Sequence, residues 1–259
     1  MLSATKILRR TPVFNRMFAV DESDGLEEIN SWPALMIVTS FVWLAVAGLL
    51  GVAMPLIQRM DLGTDLYYMA LTAHGAALAF PFVFQIMVGI SLHRAGGCVG
   101  KPVSGLLPAL IYLCMNVGAA LLTVAILLGF SVSLVMMYPL PVVGVGNGQW
   151  SYGTLVLAFT GIGLVLFSMI VFYPVQMLKI MFFGQKRPDL ILDERSINDP
   201  GMLGMALAAL VLLIMGTPLL IIATYVLVAL YGIIPLGAVA WATEPVVFQF
   251  AFFTFAHNL

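Results

Sequence analysis

Charge is scarce in this sequence. Of 259 residues, 11 are Lys or Arg and 12 are Asp or Glu, together 9% of the chain. A soluble domain carries about 25% charged residues, so this chain cannot clothe a globular surface in charge. Its mean hydropathy of +1.07 excludes a water-soluble core with a polar skin. The 11 basic and 12 acidic groups nearly cancel, which also excludes nucleic-acid binding by bulk charge. Cysteine is almost absent. Cys98 and Cys114 cannot make a disulfide framework or a zinc site by themselves, and they read as a loop thiol and a helix-packing thiol. A secretory signal is lacking too, because no apolar stretch follows the basic start. Met1 to Val20 has a transit-peptide flavour, but the acidic run Asp21, Glu22, Asp24, Glu27, Glu28 reads better as part of a cytoplasmic lead-in over residues 1–33.

Long apolar runs fill the rest. About 20 mostly apolar residues cross a hydrocarbon layer roughly 30 Å thick. Five stretches qualify: Ala34 to Ile57, Leu66 to Leu92, Gly105 to Val135, Tyr152 to Phe183, and Met202 to Tyr231. A sixth run starts at Pro245. Turn signals separate them: Arg59–Thr64, Ala95-Gly96-Gly97-Cys98, Tyr138 to Gln149, Gln185 to Asn198, and Gly237 to Glu244. The expectation is an all-α polytopic membrane protein with five transmembrane helices plus the start of a sixth. Residues 34–259 would form one helical bundle, incomplete at its C-terminus, with no soluble domain. Pro81, Pro174 and Pro218 lie inside runs, where each frees a backbone carbonyl and predicts a local kink. Ser31-Trp32-Pro33 reads as an N-cap, an interfacial aromatic and a first-turn proline.

Basic residues predict the orientation. Lys6, Arg9, Arg10, Arg16, Arg94, Lys101, Lys179, Lys186, Arg187 and Arg195 fall on one side of this arrangement, and only Arg59 on the other. The N-terminus is therefore expected inside, with the sixth helix entering from outside.

With so little charge, an ionisable residue at membrane depth is a functional hypothesis by default. His93, beside Arg94 at the inner end of the second run, reads as a helix-end histidine near the negative dipole pole. His74 lies deeper, about 13 Å below the outer boundary at 1.5 Å per residue. Ala70, Ala73, Gly75 and Ala77 surround it. Such small residues leave room for a large flat ligand such as a haem; equally, they let helices pack closely with the imidazole hydrogen-bonded to a neighbour. Both readings stand. His257, among Phe252, Phe253 and Phe255, is either a ligand for copper, iron or zinc or a packing histidine. His74 and His93 cannot share a haem, being about 28 Å apart on one helix. The paired histidines of a two-haem cytochrome b bundle are missing. A transporter coupled through an intramembrane carboxylate has no candidate residue either, although Gly216-Thr217-Pro218 hints at a broken helix. Gln85, Asn116, Gln176 and Gln249 read as interhelical glue.

Three segments resemble the catalytic subunit I of haem–copper oxidases, in particular the B-class branch. Asp65-Leu66-Tyr67-Tyr68-Met69-Ala70-Leu71-Thr72-Ala73-His74-Gly75 resembles the second-helix motif, in which a Tyr-Tyr pair precedes Leu-Thr-x-His-Gly. Met137-Tyr138-Pro139-Leu140, followed by a Gly-rich loop and Trp150, resembles the Tyr-Pro-Pro-Leu segment outside the third helix, with the second proline displaced to Pro141. Glu244 to His257, rich in phenylalanine, resembles the start of the sixth helix, which ends in Gly-His-Pro.

The resemblance implies that His74 is an axial ligand of the low-spin haem. It implies that His257 is the first histidine of the copper centre facing a high-spin haem. The implied cofactors are haem, low-spin and high-spin, and copper, and the implied chemistry is reduction of O2 to water with proton uptake from the inside. The implied partners are the remaining catalytic-subunit helices, in the same longer chain or a split one, a subunit II-like partner, and cytochrome c or quinol as electron donor. The implied location is a prokaryotic plasma membrane. Departures exist: Ala256 and Asn258 replace the glycine and proline flanking the copper histidine, and no Asp in Leu92–Gly105 resembles the A-class proton entrance. Nitric oxide reductases share the scaffold without that proline and use iron in place of copper. A cofactor-free transporter or assembly protein is the alternative from another class. From Glu244 to Leu259 the sixth helix would reach only about 24 Å, so the N-terminal portion of a catalytic subunit is expected, with one haem ligand and one copper ligand of its own.

Overall fold

In lipid a backbone segment must satisfy its own hydrogen bonds, so long apolar runs have only the helix available. The computed structural model describes residues 31–99, 103, 105–131, 150–183, 200–242 and 244–256. Within them α1 spans Ser31–Arg59. Helix α2 is continuous in three parts, Thr64–Ala77, a wide-turned π segment Leu78–Phe84, and Gln85–Val99. Helix α3 is Leu106–Leu127. Helix α4 repeats the pattern of α2 with Tyr152–Phe167, a π segment Ser168–Phe172, and Tyr173–Phe183. Helix α5 is Pro200–Leu230, and a shorter α6 is Pro245–Ala256. No strand occurs among the described residues. Five of these helices are long and apolar enough to cross a membrane, and the chain is an integral membrane protein. The lead-in expected for residues 1–33 falls almost wholly outside the described residues.

Three helices end on one device. At the end of α3, Phe130 N–H donates to Ala125 O (2.9 Å) and Gly129 N–H to Ile126 O (2.9 Å), with Gly129 at φ +96°. This is the Schellman arrangement, in which a left-handed residue satisfies the last free carbonyls. Gly232 at φ +72° and Asp61 at φ +51° close α5 and α1 in the same way. Apolar residues continue past Gly129, so hydropathy alone carries the third run to Val135, and the glycine stops it earlier. The opposite correction applies to Ala95-Gly96-Gly97-Cys98, which is helical rather than a turn. Ala95, Gly96 and Val99 are buried, and packing there outweighs the weak helix preference of glycine.

Kinks were expected at three prolines. Pro81 lies inside a π segment and Pro174 follows one. Pro218 instead lies inside α5, which stays α-helical across it.

Successive helices pack antiparallel. Glycines set the closest approaches: a Cβ on Gly118 of α3 would lie 2.6 Å from Gly161 O of α4, and one on Gly161 would lie 2.6 Å from Gly118 O. In the same manner Gly89 of α2 meets Pro33, Met36 and Ile37 of α1, and Gly216 of α5 meets Ile170 of α4. Small residues let backbones approach where no hydrophobic force drives helices together. The core has two large parts and a small third one of Ala34 and Ile37. A methionine-rich one joins Met36, Met115, Met169, Met177 and Met202 around Val88 and Leu92. The other, toward the end bearing Gly129 and Gly232, joins Ala76, Leu122, Phe130, Leu155, Val226 and Ala251.

Candidate functional site

Helix α1 presents Met36, Ser40 and Ala47, all fully buried, and then Gly51, along one inward stripe at spacings of four and seven. That spacing keeps residues on one helical face. Antiparallel to it, α2 brings Ala70, His74 and Ala77 onto its own inward side, with Ala70 and Ala77 buried and His74 half-buried.

The His74 ring is anchored on this seam. Its Nδ1 lies 2.8 Å from Ala47 O. A carbonyl can only accept, so Nδ1 carries the hydrogen, and in the neutral ring Nε2 keeps its lone pair. One turn along α1, Gly51 makes the room: a Cβ there would stand 3.1 Å from His74 Cε1 and 3.3 Å from Nδ1. The carbonyl that orients the imidazole and the glycine that admits it thus lie on one face, four residues apart. His74 makes no second hydrogen bond among the described residues. The arrangement meets the packing expectation, an imidazole hydrogen-bonded to a neighbouring helix, and it also leaves Nε2 free, as in a ligating histidine whose other nitrogen is held by a carbonyl.

Further hydrogen bonds tie α1 to its neighbours. Trp43 Nε1 of α1 donates to Asn116 Oδ1 of α3 (3.1 Å), Asn116 Nδ2 donates to Tyr112 O (2.9 Å), and Thr39 and Tyr112 share a hydroxyl contact at 3.3 Å. Asn116 is therefore glue, as expected. Gln85 is too, its Nε2 donating to Met36 O at 3.1 Å, whereas the buried Gln176 Oε1 has no donor among the described residues. His93 is held within the last part of α2 rather than at its end, since the helix runs on to Val99.

Helix α6 begins with a cap. Glu244 Oε2 accepts from Val246 N (3.0 Å) and Val247 N (3.4 Å), which places a carboxylate at the positive end of the helix. At the far end Phe255 packs edge-on against Phe84 of α2, ring centroids 6.1 Å apart. His257 and Asn258 lie outside the described residues, as does the Met137 to Pro141 segment; Trp150 is described and packs on Phe130 at 5.1 Å. No group of three His, Cys, Asp or Glu side chains suited to a metal occurs among the described residues.

Sequence reasoning found His74 and missed its two supports. Ala47 acts through a main-chain carbonyl, which leaves no mark on residue type. Gly51 is one of 24 glycines, and only its stripe position opposite His74 could have distinguished it. Compared with family models, curated proteins and solved structures, the chain finds no match.

Proposed function

We propose that this chain is the N-terminal portion of the catalytic subunit of a haem–copper oxygen reductase, with His74 as an axial ligand of its low-spin haem. The anchoring of His74 Nδ1 on Ala47 O carries this reading, because it presents Nε2 as the ligating nitrogen. The donor set fits the group: a neutral imidazole, oriented from behind, beside Gly51, Ala70 and Ala73. The chemistry a low-spin haem supplies when bound is one-electron transfer, tuned by its axial ligands. The chain's own part is to fix the plane of the imidazole, exclude water with the apolar α1 and α2 faces, and leave Nδ1–H on the carbonyl. His257 is proposed as a copper ligand on the resemblance of Glu244 to His257 alone.

The same reading places the N-terminus inside a prokaryotic plasma membrane. It takes cytochrome c or quinol as donor, O2 as substrate, and a subunit II-like protein and further catalytic-subunit helices as partners. The nitric oxide reductase scaffold is the second reading, favoured by Asn258 where the oxidase motif has proline; iron rather than copper in the purified complex would decide for it.

The test is a reduced-minus-oxidised haem spectrum of the complete complex with His74→Ala. Loss of the low-spin band, with assembly intact, is expected. A band of unchanged position and intensity would refute the assignment.

A further inference from the structure

Away from His74, toward the methionine-rich end of the bundle, two buried amides lack partners that their chemistry demands. Gln85 on α2 is fully buried, and its Oε1 accepts no hydrogen bond among the described residues. Its orientation is fixed, because Nε2 faces the Met36 carbonyl at 3.1 Å and exchanging the two atoms would set oxygen against oxygen. Gln176 on α4 is 5% exposed, and its Oε1 is likewise buried without a donor. Between their levels Tyr173 of α4 and Ser91 of α2 share a side-chain hydrogen bond. Four polar side chains thus mark a stretch of α2 and α4 that is otherwise Val88, Leu92, Met169 and Met177.

Each glutamine also follows a disturbed stretch of its helix. Gln85 comes directly after the π segment holding Pro81, and Gln176 comes two residues after Pro174, beyond the second π segment. Proline has no N–H to give, so each helix carries a carbonyl deprived of its helical donor. Buried polar groups in native proteins almost always find a partner, and an internal water is the usual one where protein supplies none.

We infer that the α2 seam against α1 and α4 holds internal water, one molecule donating to Gln85 Oε1 and another to Gln176 Oε1. The inference does not depend on the haem assignment. Water suits both sites because each offers an acceptor without a donor, and a water molecule brings two donors of its own.

The experiment uses the full chain in nanodiscs with its glutamine side chains labelled with 15N. Rotating-frame cross-peaks between water and the side-chain amides are recorded, their sign separating contact from exchange with bulk water. Water contacts to both Gln85 and Gln176 are expected. The Gln176 contact should vanish in Gln176→Leu while that of Gln85 persists, and Gln85→Met should give the converse. Amides silent to water in the unmodified chain would overturn the inference, which needs no variant to fold. So would a rise in melting temperature in Gln176→Leu, the result expected when a dry, unpaired amide is replaced by an apolar side chain.

Discussion

Both readings that composition leaves open for His74 meet at a single imidazole. Packing histidines and ligand histidines both sit among small residues, and a carbonyl-held Nδ1 serves either: it ties two helices together and it leaves Nε2 free to ligate. Here the protein holds Nδ1 through Ala47 O, and Gly51 admits the ring with almost no slack. Gly51→Ala would bring a methyl group to 3.1 Å from His74 Cε1, so the ring must shift by a few tenths of an ångström or turn. On the proposed haem reading, this substitution is expected to move the low-spin haem band of the assembled complex and its electron paramagnetic resonance g-values while leaving haem content unchanged. Spectra identical to the unmodified complex would mean that Gly51 does not position the ligand. The residue type at position 74 was legible in the sequence. Its supports were not, since one is a main-chain atom and the other a missing side chain on a different helix.

Helices in lipid gain little from burying apolar surface against one another, so close backbone approach becomes the main source of pair specificity. The reciprocal contact of Gly118 and Gly161 makes the α3–α4 pair dependent on two missing methyl groups. A Cβ on Gly118 would meet a backbone oxygen at 2.6 Å, and backbone cannot swing aside as a flexible side chain does. Gly118→Ala is therefore expected to force α3 and α4 apart and destabilise the bundle by about 1–3 kcal/mol. A thermal melt in detergent checks this, with Gly153→Ala as control because nothing lies within 4 Å of a Cβ there. An unchanged melting temperature for Gly118→Ala would contradict the packing. At this scale the apolar runs gave the number and order of the helices. They misjudged ends wherever capping geometry or tertiary burial decided, as at Gly129 and at Ala95 to Val99.

Taken as a whole, the molecule turns large apolar side chains outward. Leu49, Val52 and Leu56 of α1 and Ile214 and Ile221 of α5 are all well exposed, as a protein solvated by lipid tails requires. Its described charged groups collect at the helix ends, with Arg59, Asp61, Asp65 and Glu244 at one end of the bundle and Arg94 and Lys179 toward the other. The positive-inside rule then predicts that the Met60 to Gly63 turn is external. Leu62 is 51% exposed in that turn, so Leu62→Cys in a variant freed of Cys98 and Cys114 is expected to react with a membrane-impermeant maleimide in intact cells. Labelling only after the membrane is opened would reverse the orientation.

By itself the sequence determined the medium and the class of the fold. Nine per cent charge and five long apolar runs leave no solution except a bundle of membrane helices, because hydropathy and backbone hydrogen bonding act locally and are written in residue type. It also reduced the polar groups needing explanation to a handful. Tertiary structure alone decided how those groups are held. The His74 tautomer, the fit of Gly51, the Gly118–Gly161 crossing and the lack of a donor for Gln176 Oε1 among the described residues all depend on atoms from helices distant in the chain. No local pattern records which carbonyl or which glycine arrives opposite them.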